Sequence, residues 1–210
     1  MFYSQRLGES LPRRIAIFRA LQLGDLLCIT PALRALRTAL PDAEIVLIGL
    51  PWAKNFVARF SRYLDGFREF PGYPGLPEQT GDCRKLPAFI KALQEDRFDL
   101  LLQMHGNGTI SNPVVMLFQA RCTAGFSLPG AYCPDTQRFL AYPDYEPEVR
   151  RHLRLLEFLG IPLQGEALEF PLHEPDYQQL EAIAGVEKLC RQEYVCIPVR
   201  SSISLKGRSV

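Results

Sequence analysis

The fold is decided by the stretch RIAIFRALQLGDLLCITPALRALR, residues 14–37. It begins with a short, β-rich apolar run from Arg14 to Arg19, which is typical of a buried strand. A turn at Leu23-Gly24-Asp25 follows, and apolar residues then recur at helical spacing. The pair Thr30-Pro31 has two interpretations, an N-cap followed by proline at the first helical position, or a kink in a helix that begins at Asp25. Both preserve the order strand, turn, helix.

The same alternation continues along the chain. Short apolar runs predict strands, and periodic segments between them predict helices. The predicted strands are 44–49, 66–70, 98–103, 123–127, 138–142 and 194–197, and the predicted helices are 53–60, 86–94, 148–159 and 177–189. Residues 71–82 are dense in proline and glycine, which predicts a loop. Strands that alternate with helices of this length favour an α/β fold with a parallel sheet covered on both faces.

The composition limits the partners and the compartment. The chain has 24 basic and 23 acidic residues and a net charge of +1, so it lacks the basic field of a nucleic-acid binder. None of the six cysteines has Cys-x-x-Cys spacing, and with only three histidines no zinc site is predicted. Reduced cysteines are typical of a cytoplasmic protein. The leader, residues 1–13, has no apolar core, and no run reaches the ~20 residues that span a bilayer. Any membrane contact is therefore expected to be peripheral.

The first turn after a strand is where an open parallel sheet usually binds its ligand. Here the turn holds one glycine, Gly24, and one carboxylate, Asp25. The glycine pattern of a dinucleotide site and the Gly-Lys-Ser/Thr of a phosphate loop are both missing, and a carboxylate would repel a pyrophosphate. The turn better suits a hydroxyl-bearing partner that must lose a proton. The alternative is that Asp25 only caps the helix that follows it.

Residues 18–37 (FRALQLGDLLCITPALRALR) closely resemble the opening of glycosyltransferase family 9, which includes the ADP-heptose:lipopolysaccharide heptosyltransferases. Weaker matches follow later in the chain. They are residues 99–106 (DLLLQMHG), 124–126 (AGF) and 148–160 (EVRRHLRLLEFLG). The resemblance implies a GT-B enzyme with two Rossmann-like domains, of which the N-terminal one binds the acceptor sugar and the C-terminal one the nucleotide-sugar.

The resemblance also implies the chemistry. The family assigns the aspartate of the Gly-Asp turn, here Asp25, as the general base that deprotonates the acceptor hydroxyl during inverting transfer. No metal, covalent intermediate or cofactor is required, and the donor substrate is a nucleotide-sugar such as ADP-heptose. The expected acceptor is a lipid-linked saccharide of the lipopolysaccharide core, reached at the inner face of the inner membrane.

Further residues are expected to bind the acceptor. Besides Gly24 and Thr30 of the first motif, the end of the fourth strand supplies a second group. These residues are Gln103, His105, Gly106 and Asn107. Many relatives have an aspartate where this chain has Gln103, which can bond a hydroxyl but cannot serve as a second base. For His105 a packed or solvent-facing histidine is an open alternative. The charged residues of 148–159 are interpreted as a solvated helix face.

The end of the chain departs from the family pattern. We predict an acceptor-binding domain over 14–165, then a linker, a helix and the first strand of an incomplete second domain over 166–197. Relatives continue from such a strand into a His-Pro-Gly segment and a whole second domain, whereas residues 198–210 are basic and rich in serine. That tail is expected to be disordered, and the switch indicates a truncated or frameshifted family member without its donor domain.

Overall fold

A computed structural model of the chain describes residues 5–183, apart from residues 9, 77 and 80. Six parallel strands form one sheet in the order β3-β2-β1-β4-β5-β6. The strands are β1 (Arg14–Phe18), β2 (Glu44–Gly49), β3 (Gly66–Glu69), β4 (Leu100–Gln103), β5 (Cys122–Ser127) and β6 (Phe139–Ala141). All of them fall within or beside the predicted strands, so the predicted parallel sheet is confirmed.

The helices of the first part of the chain cover both faces of this sheet. They are α1 (Leu23–Leu27), α2 (Thr30–Ala39), α3 (Ala53–Arg59), α4 (Leu86–Asp96), α5 (Ser111–Met116) and α6 (Glu148–Phe158). Successive side chains of a strand point to opposite faces. In β1, Ile15 and Ile17 therefore join a core cluster with α2 and α6, whereas Ala16 and Phe18 join a second cluster with α4 and α5. Burial on both faces explains why the central strands are almost wholly apolar.

The Gly-Asp segment differs from its prediction. Leu23, Gly24 and Asp25 do not form a turn but the start of the short helix α1. A separate helix, α2, then begins at Thr30, with Ile29 as its N-cap residue. A helix therefore does begin at the Thr-Pro pair, as one interpretation held, but its N-cap residue is Ile29 and not Thr30. The single long helix kinked at proline is wrong.

The short helix α5 was not predicted. Its sequence, SNPVVM, is only six residues long and contains Pro113. A segment of that length spans less than two helical turns, so it shows no periodicity that could be recognised in the sequence. It follows β4 closely and packs Val114 and Val115 into the second core cluster.

The chain divides into two compact units, with the boundary after Phe170. Residues 164–169 belong to the first unit because Arg34 of α2 donates hydrogen bonds to the carbonyl oxygens of Gln164, Gly165 and Ala167, and it also pairs with Glu169. None of these contacts was evident from the sequence.

The second unit is described only as far as residue 183. It contains α7 (Glu174–Glu181), which begins three residues before the predicted start, and the Asp176 carboxylate accepts a 2.8 Å hydrogen bond from the His173 N–H at its first turn. The predicted strand 194–197 and the tail 198–210 lie outside the described residues. Within the described part of the chain, every helix is too short or too polar to cross a lipid bilayer.

Candidate functional site

The site lies where the strand order reverses. From β1 the chain moves outward through β2 and β3, and it then returns to pair β4 with the other side of β1. In open parallel sheets ligands bind outside the carboxyl ends of the two strands at this switch point. The segment Arg19–Asp25 follows β1 there, and the segment Met104–Asn107 follows β4. The topology thus brings together the two segments that hold most of the candidate residues, namely Gly24, Asp25, His105, Gly106 and Asn107.

His105 links the two strand ends. Its Nδ1 accepts a 3.2 Å hydrogen bond from the Ala20 N–H, and its ring stacks on Phe18 with 5.2 Å between centroids. Only 5% of the residue is exposed, and burial together with the nearby charge of Arg19 lowers its pKa to about 4. His105 is therefore a neutral, packed histidine, as in one of the two sequence interpretations, and the proton of its ring is on Nε2.

Asp25 lies at the third position of α1. Its Oδ2 accepts a 3.2 Å hydrogen bond from the Gln22 N–H, so the carboxylate does cap the helix, as one interpretation of the sequence held. The residue stays half-buried and its neighbour Gly24 is exposed. A Cβ added to Gly24 would meet no atom within 4 Å, so open space adjoins the backbone beside this carboxylate. Asp25 can therefore cap the helix with one oxygen while its carboxylate remains accessible to a partner.

Arg19 holds the backbone of Asp25 in place through hydrogen bonds of its guanidinium group. It is fully buried, and its Nε donates a 2.9 Å hydrogen bond to the carbonyl oxygen of Asp25 itself. Its Nη1 donates to the carbonyl oxygen of Met104, and its Nη2 pairs with Glu148 Oε1 at 2.9 Å. One guanidinium thus ties together α1, the end of β4 and the first residue of α6.

Glu148 is the centre of a charged network, which corrects the prediction of a solvated helix face. Its carboxylate also pairs with Arg151 and lies 3.0 Å from Nε2 of His152, and both of these residues are buried. Burial opposes ionisation of Glu148, but the bonds from His152 and Arg19 outweigh it and hold its pKa well below the usual range. Arg150 and Arg154, in contrast, remain exposed, as predicted.

Thr30 and Gln103 lie inside the protein. The Thr30 hydroxyl donates to the Leu27 carbonyl oxygen at 2.9 Å and accepts from the Glu169 N–H at 3.4 Å. Gln103 Nε2 donates to the His105 carbonyl oxygen at 2.8 Å and to the Ser111 hydroxyl. Both side chains are fully buried, so neither presents a polar atom to a ligand. In this structure they hold neighbouring segments in place.

The loop after β4 forms the wall of an open cleft. Gly106 has a φ of +62° and Gly108 a φ of +91°, values that favour glycine, and Asn107 Oδ1 accepts a hydrogen bond from the Thr109 N–H at 3.0 Å. The cleft has a volume of about 490 Å³. It is lined by Leu76, Tyr142, Ser111 and residues 105–110.

A larger cavity, about 810 Å³, lies at the opposite, amino-terminal edge of the sheet. Its lining includes Arg13 just before β1 and Asp42 and Ala43 just before β2. Ligands of open parallel sheets bind at the carboxyl edge, and none of the candidate residues lines this cavity, so volume alone does not make it the site. Among the described residues no group of three or more His, Cys, Asp or Glu side chains is arranged to hold a metal ion.

Three residues at the carboxyl edge of the sheet were not identified from the sequence. Arg19 is the second residue of one family-like segment and Glu148 the first residue of another, and that position was the only signal for them. Glu78 belongs to the loop predicted over 71–82, and its Oε2 lies 3.8 Å from Nε2 of His105. No local pattern indicates that a loop residue reaches the end of β4.

Comparisons with known proteins agree on the fold. No family model matches the chain, and no curated protein matches it by sequence. A solved glycosyl transferase family 9 structure from Veillonella parvula DSM 2008 is 18% identical, with a TM-score of 0.62, over 80% of this chain and 48% of that one. Heptosyltransferase WaaC of E. coli, solved with ADP, is 18% identical with a TM-score of 0.54, over 74% of this chain and 50% of that one.

A third similar structure is the E. coli ADP-heptose lps heptosyltransferase II, which is 14% identical with a TM-score of 0.52, over 82% of this chain and 51% of that one. At sequence identities of 14–18%, structural similarity establishes the fold only. The Rossmann-like α/β arrangement of GT-B glycosyltransferases, predicted from the sequence, is confirmed. The chain spans about half the length of these solved structures.

Proposed function

We propose that this chain is the acceptor-binding half of an inverting glycosyltransferase of the heptosyltransferase type, with Asp25 as general base. The observation that carries the proposal is the position of the Asp25 carboxylate, half-buried next to exposed Gly24 at the switch point of a sheet whose fold is that of family 9 structures. The same edge lacks the glycine pattern that would cradle a pyrophosphate, which favours an acceptor over a nucleotide on this side.

The reaction transfers a sugar from a nucleotide-sugar to a hydroxyl of a saccharide. Asp25 takes the proton of the acceptor hydroxyl while that oxygen bonds to the anomeric carbon of the donor. The bond from the anomeric carbon to the diphosphate breaks at the same time, and the nucleoside diphosphate leaves with the electron pair. Attack from the face opposite the leaving group inverts the anomeric centre, and no metal or covalent enzyme intermediate takes part.

The proposal for the substrates is supported by what the solved structures bind. One solved relative is a heptosyltransferase with ADP and another an ADP-heptose lps heptosyltransferase. We therefore propose ADP-heptose or a related nucleotide-sugar as donor and a lipid-linked, lipopolysaccharide-core-like saccharide as acceptor. The reaction would take place in the cytoplasm at the inner face of the inner membrane, with the protein bound peripherally. Nucleic acid has no part in it.

A transfer assay tests this proposal. The chain is incubated with ADP-heptose, heptose-deficient lipopolysaccharide and the separately produced donor-binding half of a solved relative, and Asp25→Asn is compared with wild type. Asparagine keeps an oxygen that accepts the Gln22 N–H but cannot take a proton, so folding is preserved while the base is lost. We expect a rate lower by about 10²- to 10⁴-fold. Asp42→Asn, at the opposite edge, is the matched control and leaves the rate unchanged.

Two outcomes contradict the proposal in different ways. Turnover that survives Asp25→Asn removes the general base from the account. A wild-type chain that binds the acceptor saccharide but transfers nothing to it, even with the donor-binding half supplied, supports the second candidate function, a sugar-binding module without turnover. The specific observation behind that second candidate is that Asp25 Oδ2 already accepts the Gln22 N–H, as a purely structural helix cap would.

A further inference from the structure

The two carboxylate oxygens of Asp25 have different surroundings. Oδ2 accepts the Gln22 N–H at 3.2 Å, whereas Oδ1 is neither hydrogen-bonded nor shielded from solvent within the described part of the chain. A carboxylate oxygen that accepts a hydrogen bond is the less basic of the two, because that bond favours its charged form. Oδ1 is therefore the oxygen that can take a proton from a bound ligand.

The direction of Oδ1 depends on how the rest of Asp25 is held. Nε of Arg19 donates a 2.9 Å hydrogen bond to the Asp25 carbonyl oxygen. Together with the bond from the Gln22 N–H, this fixes the residue at two points, one on the main chain and one on the side chain. A reacting group that is held by such surrounding hydrogen bonds keeps one geometry. Arg19 therefore helps to decide where Oδ1 points.

The same guanidinium connects this segment to the other strand end of the site. Its Nη1 donates to the carbonyl oxygen of Met104, and the next residue, Ala20, donates its N–H to Nδ1 of His105 at 3.2 Å. Two consecutive residues after β1 thus bind two consecutive residues after β4. The Asp25 backbone is therefore held in a defined position relative to the loop that lines the 490 Å³ cleft.

Glu148 supplies the counter-charge. Arg19 is fully buried, and its Nη2 lies 2.9 Å from Glu148 Oε1. A buried guanidinium without such a partner is strongly unfavourable. Glu148 is itself held by Arg151 and by Nε2 of His152 at 3.0 Å. Each of the three guanidinium nitrogens of Arg19 therefore has its own partner, an arrangement that the single ammonium group of a lysine cannot reproduce.

We infer that Arg19 is a positioning residue, which together with its counter-ion Glu148 holds Asp25 so that Oδ1 takes the proton of the acceptor hydroxyl. The inference rests on the proposed function, since it takes Asp25 as the general base. It adds to that proposal the oxygen that accepts the proton and the residues that direct it. Because Arg19 is fully buried, it contacts neither substrate, and its loss slows the chemical step without weakening acceptor binding.

The test measures kcat and the acceptor KM separately, in the transfer assay with the donor-binding half supplied. Arg19→Lys keeps the buried charge but loses the three directed hydrogen bonds. We expect kcat to fall by about 10- to 100-fold, as for a reacting group that is displaced, while the acceptor KM stays within about twofold of wild type. Glu148→Gln keeps an oxygen for Arg19 Nη2 and loses the counter-charge, and it is expected to lower kcat by a smaller factor.

Arg37→Lys is the matched control. The Arg37 guanidinium also donates to backbone carbonyl oxygens, those of Pro41, Ala43 and Tyr63, and it pairs with Asp65. These partners precede β2 and β3, at the amino-terminal edge of the sheet. Arg37→Lys is expected to lower the melting temperature and to leave kcat unchanged. All rates are measured well below the melting temperature of each variant, so that loss of folded protein does not enter kcat.

Backbone dynamics provide a second readout that does not depend on turnover. NMR relaxation gives the order parameter of the Asp25 amide, which is about 0.85 for rigid backbone and below about 0.6 for flexible backbone. We expect a rigid value in wild type and in Arg37→Lys, and a clear fall in Arg19→Lys. If Arg19→Lys does not fold, Glu148→Gln is used for the same two measurements.

The outcomes separate this inference from the proposed function. An equal fall of kcat in Arg37→Lys overturns the inference, and so does a rise of the acceptor KM in Arg19→Lys with kcat kept. An Asp25 order parameter that Arg19→Lys leaves unchanged overturns it as well. Absence of turnover in wild type is a failure of the proposed function, and the order parameter then decides whether Arg19 positions Asp25.

Discussion

Arg19 Nη2 lies 2.9 Å from Glu148 Oε1, and Nε of the same guanidinium donates a hydrogen bond to the carbonyl oxygen of Asp25. The ion pair therefore connects the first residue of α6 to the backbone of the proposed base. Because Arg19 is fully buried, its charge depends on this partner for compensation. The network that surrounds the pair is thus a support for the site as well as for the fold.

Loss of either partner should destabilise the protein. Glu148→Gln is expected to lower the free energy of unfolding by about 1–3 kcal/mol, and Arg19→Met by about 3–5 kcal/mol, since each leaves buried polar groups uncompensated. Glu157→Gln, an exposed change on the same helix, is expected to stay within about 0.5 kcal/mol of wild type. Urea unfolding measures all three. Equal stability of Glu148→Gln and Glu157→Gln would mean that the pair does not support the fold.

Stability should fall in mild acid. Burial lowers the pKa of both His105 and His152 to about 4, below the ~6.5 of an unfolded histidine. The unfolded chain therefore binds more protons between pH 6.5 and 4, so stability that is complete above pH 6.5 is lost as the pH falls through this window. Each histidine contributes a slope of up to about 1.4 kcal/mol per pH unit.

The pH effect is measured by urea unfolding at pH 7, 6 and 5. His152→Phe is expected to reduce the slope, because one of the two buried titrating groups is gone. Below this window the carboxylate of Glu148, whose pKa is held low in the fold, becomes protonated first in the unfolded chain and stability falls further. An unfolding free energy that does not change between pH 7 and pH 5 would contradict the burial of both histidines.

The two glycines of the loop after β4 should respond differently to alanine. A Cβ on Gly108 would lie 2.4 Å from Asn112 Nδ2 and 2.4 Å from the Phe126 carbonyl oxygen, whereas on Gly106 it would meet nothing within 4 Å. Gly108→Ala is therefore expected to cost about 3 kcal/mol or more, and Gly106→Ala only the roughly 1–2 kcal/mol of a left-handed backbone. Thermal unfolding distinguishes them. A similar loss of stability in both variants would contradict the close approach of Asn112 and Phe126 to Gly108.

Thr30 should matter for stability and not for the acceptor. Thr30→Val keeps the shape of the side chain but loses the hydroxyl that bonds the Leu27 carbonyl oxygen and the Glu169 N–H. We expect a loss of about 1–2 kcal/mol in unfolding free energy and an unchanged affinity for the acceptor saccharide. An affinity that falls while the stability is kept would restore the acceptor-binding role that the sequence suggested for Thr30.

The fold was largely predictable because its strands are apolar runs separated by periodic helices. The first motif also identified the carboxyl end of β1 as the site edge, since Gly24 and Asp25 follow that strand after a short connecting segment. The topology that places Met104–Asn107 beside it depends on β4 returning to pair with β1. That pairing is a long-range property, which local patterns do not encode.

Side-chain environments were less predictable. Arg151 lies on a helix with strong amphipathic spacing and was assigned to its solvated face, but Glu148 at the start of that helix pairs with it and with His152. Whether a charge is buried depends on its partner in another element, here Arg19 of the segment after β1. Glu78 illustrates the same limit, because a residue in a loop has no periodicity from which its contacts could be inferred.

The most direct test of the account is to locate the bound acceptor. In an NMR titration with delipidated, heptose-deficient core oligosaccharide, we expect saturable shifts of the backbone amides of Gly24, Asp25, Gly106 and Asn107, at the carboxyl ends of β1 and β4. The larger cavity at the opposite edge, lined by Asp42 and Asp99, should be unaffected. Shifts confined to that cavity, or no saturable shift at Asp25 and its neighbours, would contradict the claim that this edge binds the acceptor.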